Sequence, residues 1–528
     1  MTTIAPIAKA PEREQATARR DRIEGRSGEE AAFSRAQWGI LCAITAVALL
    51  LRLWRIGEWS VWIDEAHTWR DVTMPLERFW QSARAWYPTS YLLLRSLLEG
   101  GYLPGDSEGA LRLPFAWIGA ITIPALAWYG RSLVGRRAAL LAAAFLAVHP
   151  WHLWWSQNAR GYAPAILLAV VACGEFWSGR QSGSRLRVVF AWALAVAAAS
   201  CHPSGTMLLA VFACAHILGA PRAISLRFRV GCVVATALVV MFHPLLELLP
   251  PLRNFTEAKA HAEPSLMHLA QTTAWHFRVP LLVLAAVGAW IGMQSWTKMR
   301  TLFLALWGAL PLALLAMVSM GFVKVTARYA VISLPALTLL AGSAVIALGD
   351  AAVSLVRRVR EGRVATTWLP RTLMALVLGL DLVGGSYLYF TAMRGERAPW
   401  NDAAQLMQSR AGSKPVSVHT THEPILQYVL HRDHWRLGAD VPGAGEVRSI
   451  ERHDVLFAGG GEGYVRSVLD RSKSLGMSAS FAVVLPELRE KDVDGSLLAA
   501  LHARCELIAV LPFWVGPKDE TIYVFSAR

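Results

Sequence analysis

Charge is what this chain has little of. Only 17% of its 528 residues are Asp, Glu, Lys or Arg, 54% are hydrophobic, and the mean hydropathy is positive. That balance excludes a soluble enzyme of this size, and the apolar residues fall in blocks long enough to cross a bilayer. Cysteine is sparse as well. There are six, none spaced as CxxC, and Cys42, Cys173, Cys201, Cys214 and Cys232 lie in or beside apolar runs. A disulfide or zinc framework is thereby excluded, leaving small core residues. The net charge of +14 comes with no nucleic-acid motif. Lys and Arg instead collect in short linkers between apolar runs, as the positive-inside rule places them in cytoplasmic loops.

No cleavable signal peptide is expected in front of the first apolar run. Residues 1–35 are rich in Ala, Arg, Glu and Ser without periodicity, and are expected to be a disordered cytoplasmic tail kept inside by Arg19, Arg20 and Arg22. Apolar runs follow at 38–56 and then at roughly 112–130, 137–153, 161–177, 186–201, 205–219, 230–250, 278–294, 301–319, 330–348 and 372–392. Placing each basic linker inside leaves 156–160, 202–203, 253–276 and 324–329 on the outer side, and also the C-terminal part. The expectation is an α-helical polytopic membrane domain over 36–392, with an odd number of spans, about 11 or 13, and an outer loop over 57–90. Segment 91–103 upsets this parity if it crosses, so either it dips in without crossing or a neighbouring span is miscounted. The spacing of Leu76, Phe79, Trp80 and Ala83 predicts an amphipathic surface helix over 74–86.

From 393 to 528 the composition changes to that of a soluble, outward-facing α/β domain. Strands are expected at 416–418, 455–458, 481–485, 507–511 and 522–525, with helices over 423–431 and 463–475, and a largely parallel sheet. The triple glycine 459–461 lacks GxGxxG and a Lys-Ser/Thr ending, so it reads as a turn.

Where the chain leaves the first run it reads Trp59-Ser60-Val61-Trp62-Ile63-Asp64-Glu65-Ala66-His67-Thr68-Trp69-Arg70. Aromatics favour the membrane interface, and a carboxylate there can accept the proton of an attacking hydroxyl without the cost of a mid-bilayer charge. Asp64 is the candidate base; the blander reading is a solvated acidic pair near Arg70. In 156–162, Arg160 can pair with a phosphate oxygen, and Gln157 and Tyr162 can hydrogen-bond at the interface; the alternative is a snorkelling anchor. Lys324 and Arg328, at i and i+4 with Tyr329 following, suit a lipid phosphate, or simply flank a helix end. Arg253, His261, His268 and His276 fall in the long outer loop, where a histidine would join Glu65 or His67 around a divalent metal. No ligand-pair spacing supports that.

Taken together, these stretches resemble glycosyltransferase family 39, the group of protein O-mannosyltransferases and lipid A aminoarabinose transferases built on the GT-C fold. The resemblance is carried by Ser60-Val61-Trp62-Ile63-Asp64-Glu65-Ala66, Tyr91-Leu92-Leu93-Leu94-Arg95, Gly105-Asp106-Ser107-Glu108, Ala110-Leu111-Arg112-Leu113-Pro114 and the run 135–143. Ser156-Gln157-Asn158-Ala159-Arg160-Gly161-Tyr162, Arg328-Tyr329 with Leu334-Pro335-Ala336-Leu337, and Trp400-Asn401-Asp402-Ala403-Ala404 complete it. The resemblance implies a polyprenyl-phosphate sugar donor, an acceptor hydroxyl of a lipid, glycan or protein on the outer face of a bacterial cytoplasmic membrane, and inversion at the anomeric carbon. By it Asp64 is the base, Glu65 shapes the site or, with His67, holds a divalent metal, and Arg160, Lys324, Arg328 and Tyr329 take the donor phosphate. His67, Tyr87, Gln157 and Tyr162 would line the substrate pocket. The chain departs from the pattern at Tyr87-Pro88-Thr89, where many relatives have His-Pro-Pro, and at Asn158, where Glu is common. A transporter or flippase of lipid-linked glycans is the rival from another class, and a non-catalytic scaffold of the same fold a second. The informative charges lie at one membrane face and no internal repeat is visible, which favours the enzyme.

Overall fold

The computed structural model of the protein describes residues 32–103, 107–218, 225–242, 265–294, 298–321, 324–359 and 369–412, and, with short breaks, 414–429, 447–451, 461–484 and 488–528. Most of the tail, Arg253, His261, the expected strand 455–458 and Gly459-Gly460 lie outside the described residues.

Helix α1 (Arg35–Leu53) opens with a capping box in which Ser34 and Gln37 exchange hydrogen bonds. Then come α2 (Ile63–Thr73), α3 (Thr89–Glu99), α4 (Glu108–Val134), α5 (Arg136–Ala147), α6 (Pro150–Ser156), α7 (Tyr162–Ser182) and α8 (Arg185–Cys201). After the helices Met207–Leu218 and Leu226–Phe242 come α9 (Leu266–Phe277), α10 (Val279–Met293), α11 (Lys298–Gly321), α12 (Leu334–Val359) and α13 (Leu369–Phe390). Small residues let the helices touch. A Cβ on Gly288 of α10 would lie 2.1 Å from the Leu340 carbonyl oxygen of α12, and one on Gly342 of α12 would lie 2.6 Å from that of Ala138 on α5.

Among the described residues, five helices are long and apolar enough to cross a membrane, or up to seven if the pairs α5–α6 and α9–α10, bent by 64° and 89°, each count as one span. The expected 11 or 13 are not reached there, because several apolar runs form helices that are short or bent: α8 has 17 residues and Met207–Leu218 has 12. The doubtful segment 91–103 forms α3 with 11 residues. At 1.5 Å per residue that is about 16 Å, roughly half the hydrocarbon thickness, so α3 does not cross.

The helix expected over 74–86 is broken into Leu76–Trp80 and a 3-10 turn, Ala83–Trp86. Ser82 causes the break: its hydroxyl donates to the Phe79 carbonyl at 2.7 Å and accepts from the Arg84 amide at 3.2 Å. Phe79 then packs into the core beside Tyr91 instead of facing lipid.

Beyond α14 (Trp400–Ala411) lie β1 (Val416–Thr420), β2 (Val447–Glu451), α15 (Gly461–Ser474), β3 (Ser478–Val484), α16 (Ser496–Arg504), β4 (Cys505–Leu511) and β5 (Ile522–Ala527). The sheet order is β2-β1-β3-β5-β4. It is half parallel, not largely so: β1 runs parallel to β2 and β3, while β5 is antiparallel to β3 and β4. The short connection from β4 to β5 leaves no room for a crossover helix, which dictates antiparallel pairing. Of the expected glycine turn, Gly461 already opens α15.

Candidate active site

Asp64 and Glu65 lie in the first turn of α2, where the exposed amide ends of a helix favour negative charge. Their environments are opposite. Glu65 is 1% exposed and accepts five hydrogen bonds. Arg112 of α4 grips it with Nε on Oε1 and Nη2 on Oε2, both at 2.8 Å. Arg397 donates Nε to Oε2 at 3.0 Å, and the amides of Ala159 and Trp62 donate at 3.0 and 3.3 Å. Burial opposes ionisation, but the two guanidiniums outweigh it and hold Glu65 down at about 2. A carboxylate has about four lone-pair sites, and here they are filled. In this arrangement Glu65 has no lone pair left over for a proton or a metal ion; it is the pin that joins the loop after α1, α4, the 157–161 turn and the segment after α13. Arg397 extends this pin, donating Nη2 to the Gln157 carbonyl at 2.7 Å.

Asp64 is the free partner of the pair. Its side chain is 23% exposed, and its nearest cation is Arg328, Nη1 to Oδ2 at 3.8 Å, beyond hydrogen-bonding distance. Burial raises its pKa, but the charges of Arg160, Arg328 and Arg84, with His67, bring it below the ordinary value. It is thus an ionised acceptor facing an accessible space. Around it the cations are only partly used. Arg160 donates Nη1 to Tyr91 Oη at 2.6 Å and to Thr68 Oγ1 at 3.2 Å, while Arg328 donates Nη2 to Tyr329 Oη at 3.0 Å. The Nε groups of both arginines are buried without a hydrogen-bond partner among the described residues. Arg84 is taken by Asp71 at 3.1 Å and Tyr87 Oη at 3.0 Å.

Tyr162 and Tyr329 flank this cluster. The Tyr162 ring lies between Trp155 and His202, centroids 3.5 and 3.7 Å away, and His202 stacks on Tyr329 at 6.4 Å. Tyr87 contacts both Tyr91 and His202. His67 is desolvated and beside Arg70 and Arg84, which pushes it down to about 4, so its imidazole is neutral near pH 7, with Nδ1 unpartnered among the described residues. Lys324 is partly buried and makes no hydrogen bond or ion pair among the described residues. Gln157 is displaced from the expected pocket. It is fully buried, donates Nε2 to the carbonyls of Trp54, Arg52 and Leu51 at 2.7, 3.0 and 3.3 Å, and accepts from Tyr389 Oη at 2.7 Å. It fastens the end of α1 to α13.

The proposed metal pair does not fit. Glu65 is saturated, and no group of three His, Cys, Asp or Glu side chains able to hold an ion occurs among the described residues. Of the histidines expected in the long outer loop, His276 stacks on Trp151 at 4.5 Å, and both it and His268 sit in α9. Sequence reasoning missed Thr68, Arg84, Tyr91 and His202 at this site, and Arg112 and Arg397 behind it. Arg112 belonged to a quoted motif without a role, and nothing local marked Arg397.

Gly161 holds the turn in place. A Cβ there would lie 1.9 Å from the Cys201 carbonyl oxygen. Gly161→Ala must push the Arg160 turn away from His202, and is expected to destabilise by roughly 1–3 kcal/mol or more, as overpacking does. Thermal unfolding of the purified variant checks it.

No protein-family model and no curated protein matches this chain. Solved structures do. The oligosaccharyltransferase of Archaeoglobus fulgidus tethered with an acceptor peptide superposes with TM-score 0.55 at 12% identity, over 92% of this chain and 74% of that one. AglB of the same organism, in complex with an inhibitory peptide and a dolichol-phosphate, gives 0.54 at 13%, over 93% and 74%. ArnT from Cupriavidus metallidurans bound to undecaprenyl phosphate gives 0.54 at 15%, over 93% and 98%. With its long apolar helices and its soluble sheet, this multi-pass membrane protein has the fold of the GT-C glycosyltransferases.

Proposed function

We propose that the chain is an inverting membrane glycosyltransferase that moves a sugar from a polyprenyl-phosphate donor to an acceptor hydroxyl. One observation carries this reading: an ionised, accessible carboxylate, Asp64, stands beside two arginines whose Nε donors have no partner among the described residues. Asp64 brings one negative charge to Arg160 and Arg328, so the cluster holds a surplus of positive charge that suits a phosphate. Two of the structural neighbours were solved with such lipids, undecaprenyl phosphate in ArnT and dolichol-phosphate in AglB.

In the reaction the acceptor O–H gives its proton to Asp64 as its oxygen attacks the anomeric carbon from the face opposite the phosphate. The bond from that carbon to the phosphate oxygen breaks, and the phosphate departs with the electron pair. Its growing charge is met by the guanidiniums of Arg160 and Arg328, with Lys324 and Tyr329 beside them. His67, neutral, and Tyr87 and Tyr162 orient the sugar or the acceptor. Glu65 touches no substrate in this scheme; it positions the α2 turn that carries Asp64. The site faces the outer side of a bacterial cytoplasmic membrane, with the N-terminal tail inside and the α/β domain outside, because the basic linkers 136–137, 180–187 and 298–300 lie on the opposite side. The acceptor is a lipid, a glycan or a protein.

The test is transfer of radiolabelled sugar from polyprenyl-phosphate sugars by the purified protein in nanodiscs, with acceptors of the three classes. Incorporation into one of them is expected. If no donor yields product while a labelled lipid-linked glycan changes leaflet in vesicles, the chain is a transporter and the reading fails.

A further inference from the structure

Away from Asp64, the elbow between α9 and α10 faces α13 across a cleft. Two cavities, of about 50 and 590 Å³, share Trp275 and Arg278 as walls. At the elbow Arg278 has φ +66° and is bound to Asp381 of α13 through Nε at 3.1 Å and Nη2 at 2.7 Å. In the smaller cavity sits Glu396, just past α13, with the Trp275 indole donating to its carboxyl. Val279 and Leu388 at the rim are exposed, and Trp275 is 36% exposed.

We propose that this cleft is a lipid-headgroup site for a zwitterionic aminophospholipid of the surrounding leaflet, its phosphate on Arg278 and its primary ammonium on Glu396 beside Trp275. This goes beyond the transfer reaction and does not depend on it. The position is right for a lipid. α9 turns 89° away from the apolar α10, and its partly exposed Trp275 is an aromatic of the kind that favours the headgroup level. The Phe390 carbonyl at the end of α13 accepts from Arg55 Nη1 at 2.8 Å, which places the cleft at the same membrane face as the Asp64 loop.

The charges select the headgroup. Arg278 and Asp381 neutralise each other, so the wall carries no net positive charge to favour an anionic lipid. Yet Nη1 of Arg278 has no hydrogen-bond partner among the described residues and remains for a phosphate oxygen. Burial pushes Glu396 up to about 7, against the hydrogen bond from Trp275 and the charges of Arg397 and Arg278. Such a carboxyl gains most from a cation brought next to it, and a neighbouring indole face attracts the same cation. A primary ammonium satisfies both and donates hydrogen bonds to the carboxylate. A quaternary ammonium donates none, and a glycerol headgroup brings no cation.

The test uses the full chain in nanodiscs of equal parts phosphatidylethanolamine, phosphatidylglycerol and phosphatidylcholine, followed by transfer to detergent and native mass spectrometry of retained lipid. Phosphatidylethanolamine should be enriched about tenfold over the other two, a difference of about 1.4 kcal/mol, and Glu396→Gln should abolish the enrichment. Trp275→Ala and Asp381→Asn, at the open edge of the cleft, provide the second test should Glu396→Gln fail to fold. Trp275→Ala should weaken retention, and Asp381→Asn should shift preference toward phosphatidylglycerol by freeing Arg278. Equal retention of the three lipids by the wild type, or undiminished enrichment in both Glu396→Gln and Trp275→Ala, would overturn the proposal.

Discussion

Asp64→Asn is expected to lower sugar transfer by about 10²–10⁴-fold, the usual contribution of a positioned general base. The substitution keeps the shape of the side chain and removes its ability to take a proton. Because Asp64 is partly exposed and makes no close ion pair, the fold should tolerate the change, and thermal unfolding of the variant should match the wild type. Donor binding should hold or tighten, since the arginines lose a competing anion. The pH profile carries the sharper test. Asp64 lies below its ordinary value of 3.8 in the free protein, so it is already ionised throughout the neutral range. The acid limb of kcat/KM should therefore fall below that value, with a flat profile above it as far as this group is concerned. Full activity of the Asn variant would dismiss Asp64 as the base.

Glu65→Ala should do the reverse, taking away the fold before the chemistry. It leaves Arg112 and Arg397 buried without their counter-charge. Removing one partner of a buried pair costs about 3–5 kcal/mol, and here two guanidiniums are stranded at once. Arg397→Met should cost less, because Arg112 still neutralises Glu65 through two hydrogen bonds. The pH dependence follows from the depressed value of Glu65, about 2 against 4.5 for an ordinary Glu. Such a group contributes stability that is fully present above 4.5 and is lost as the pH falls through the folded value. Between those two values the wild type should lose stability that Glu65→Gln has already lost. Unfolding followed by protease sensitivity at several pH values measures both effects. A stable, inactive Glu65→Ala protein would instead return Glu65 to the chemistry.

How much of this could be read from the sequence depended on the distance over which each feature is made. The Asp64-Glu65 stretch, the 156–162 turn and the 324–329 segment were visible because each is local. The structure brings Asp64, Arg160 and Arg328 together. The division of labour between the two acids was not visible, since adjacent carboxylates look alike until their partners are known. Those of Glu65 lie 47 and 332 residues away. Gln157 misled for the same reason: a polar residue at an interface resembles a ligand-binding group, and only the folded chain shows three carbonyls taking its amide. Strand β2 (Val447–Glu451) was not expected, but the other four of the five strands of the C-terminal sheet followed from their β-branched and apolar runs. Their direction did not, because it depends on how short the connections are.

The link from Arg397 to Glu65 also orders events during synthesis. Every helix up to α13 leaves the ribosome before Arg397 does, so until the membrane part has been made Glu65 is held by Arg112 and two amides alone. A chain halted earlier would lack the tie from Glu65 and the Gln157 carbonyl to the segment after α13. The last link of this buried network is thus closed by a residue emerging just ahead of the C-terminal α/β domain.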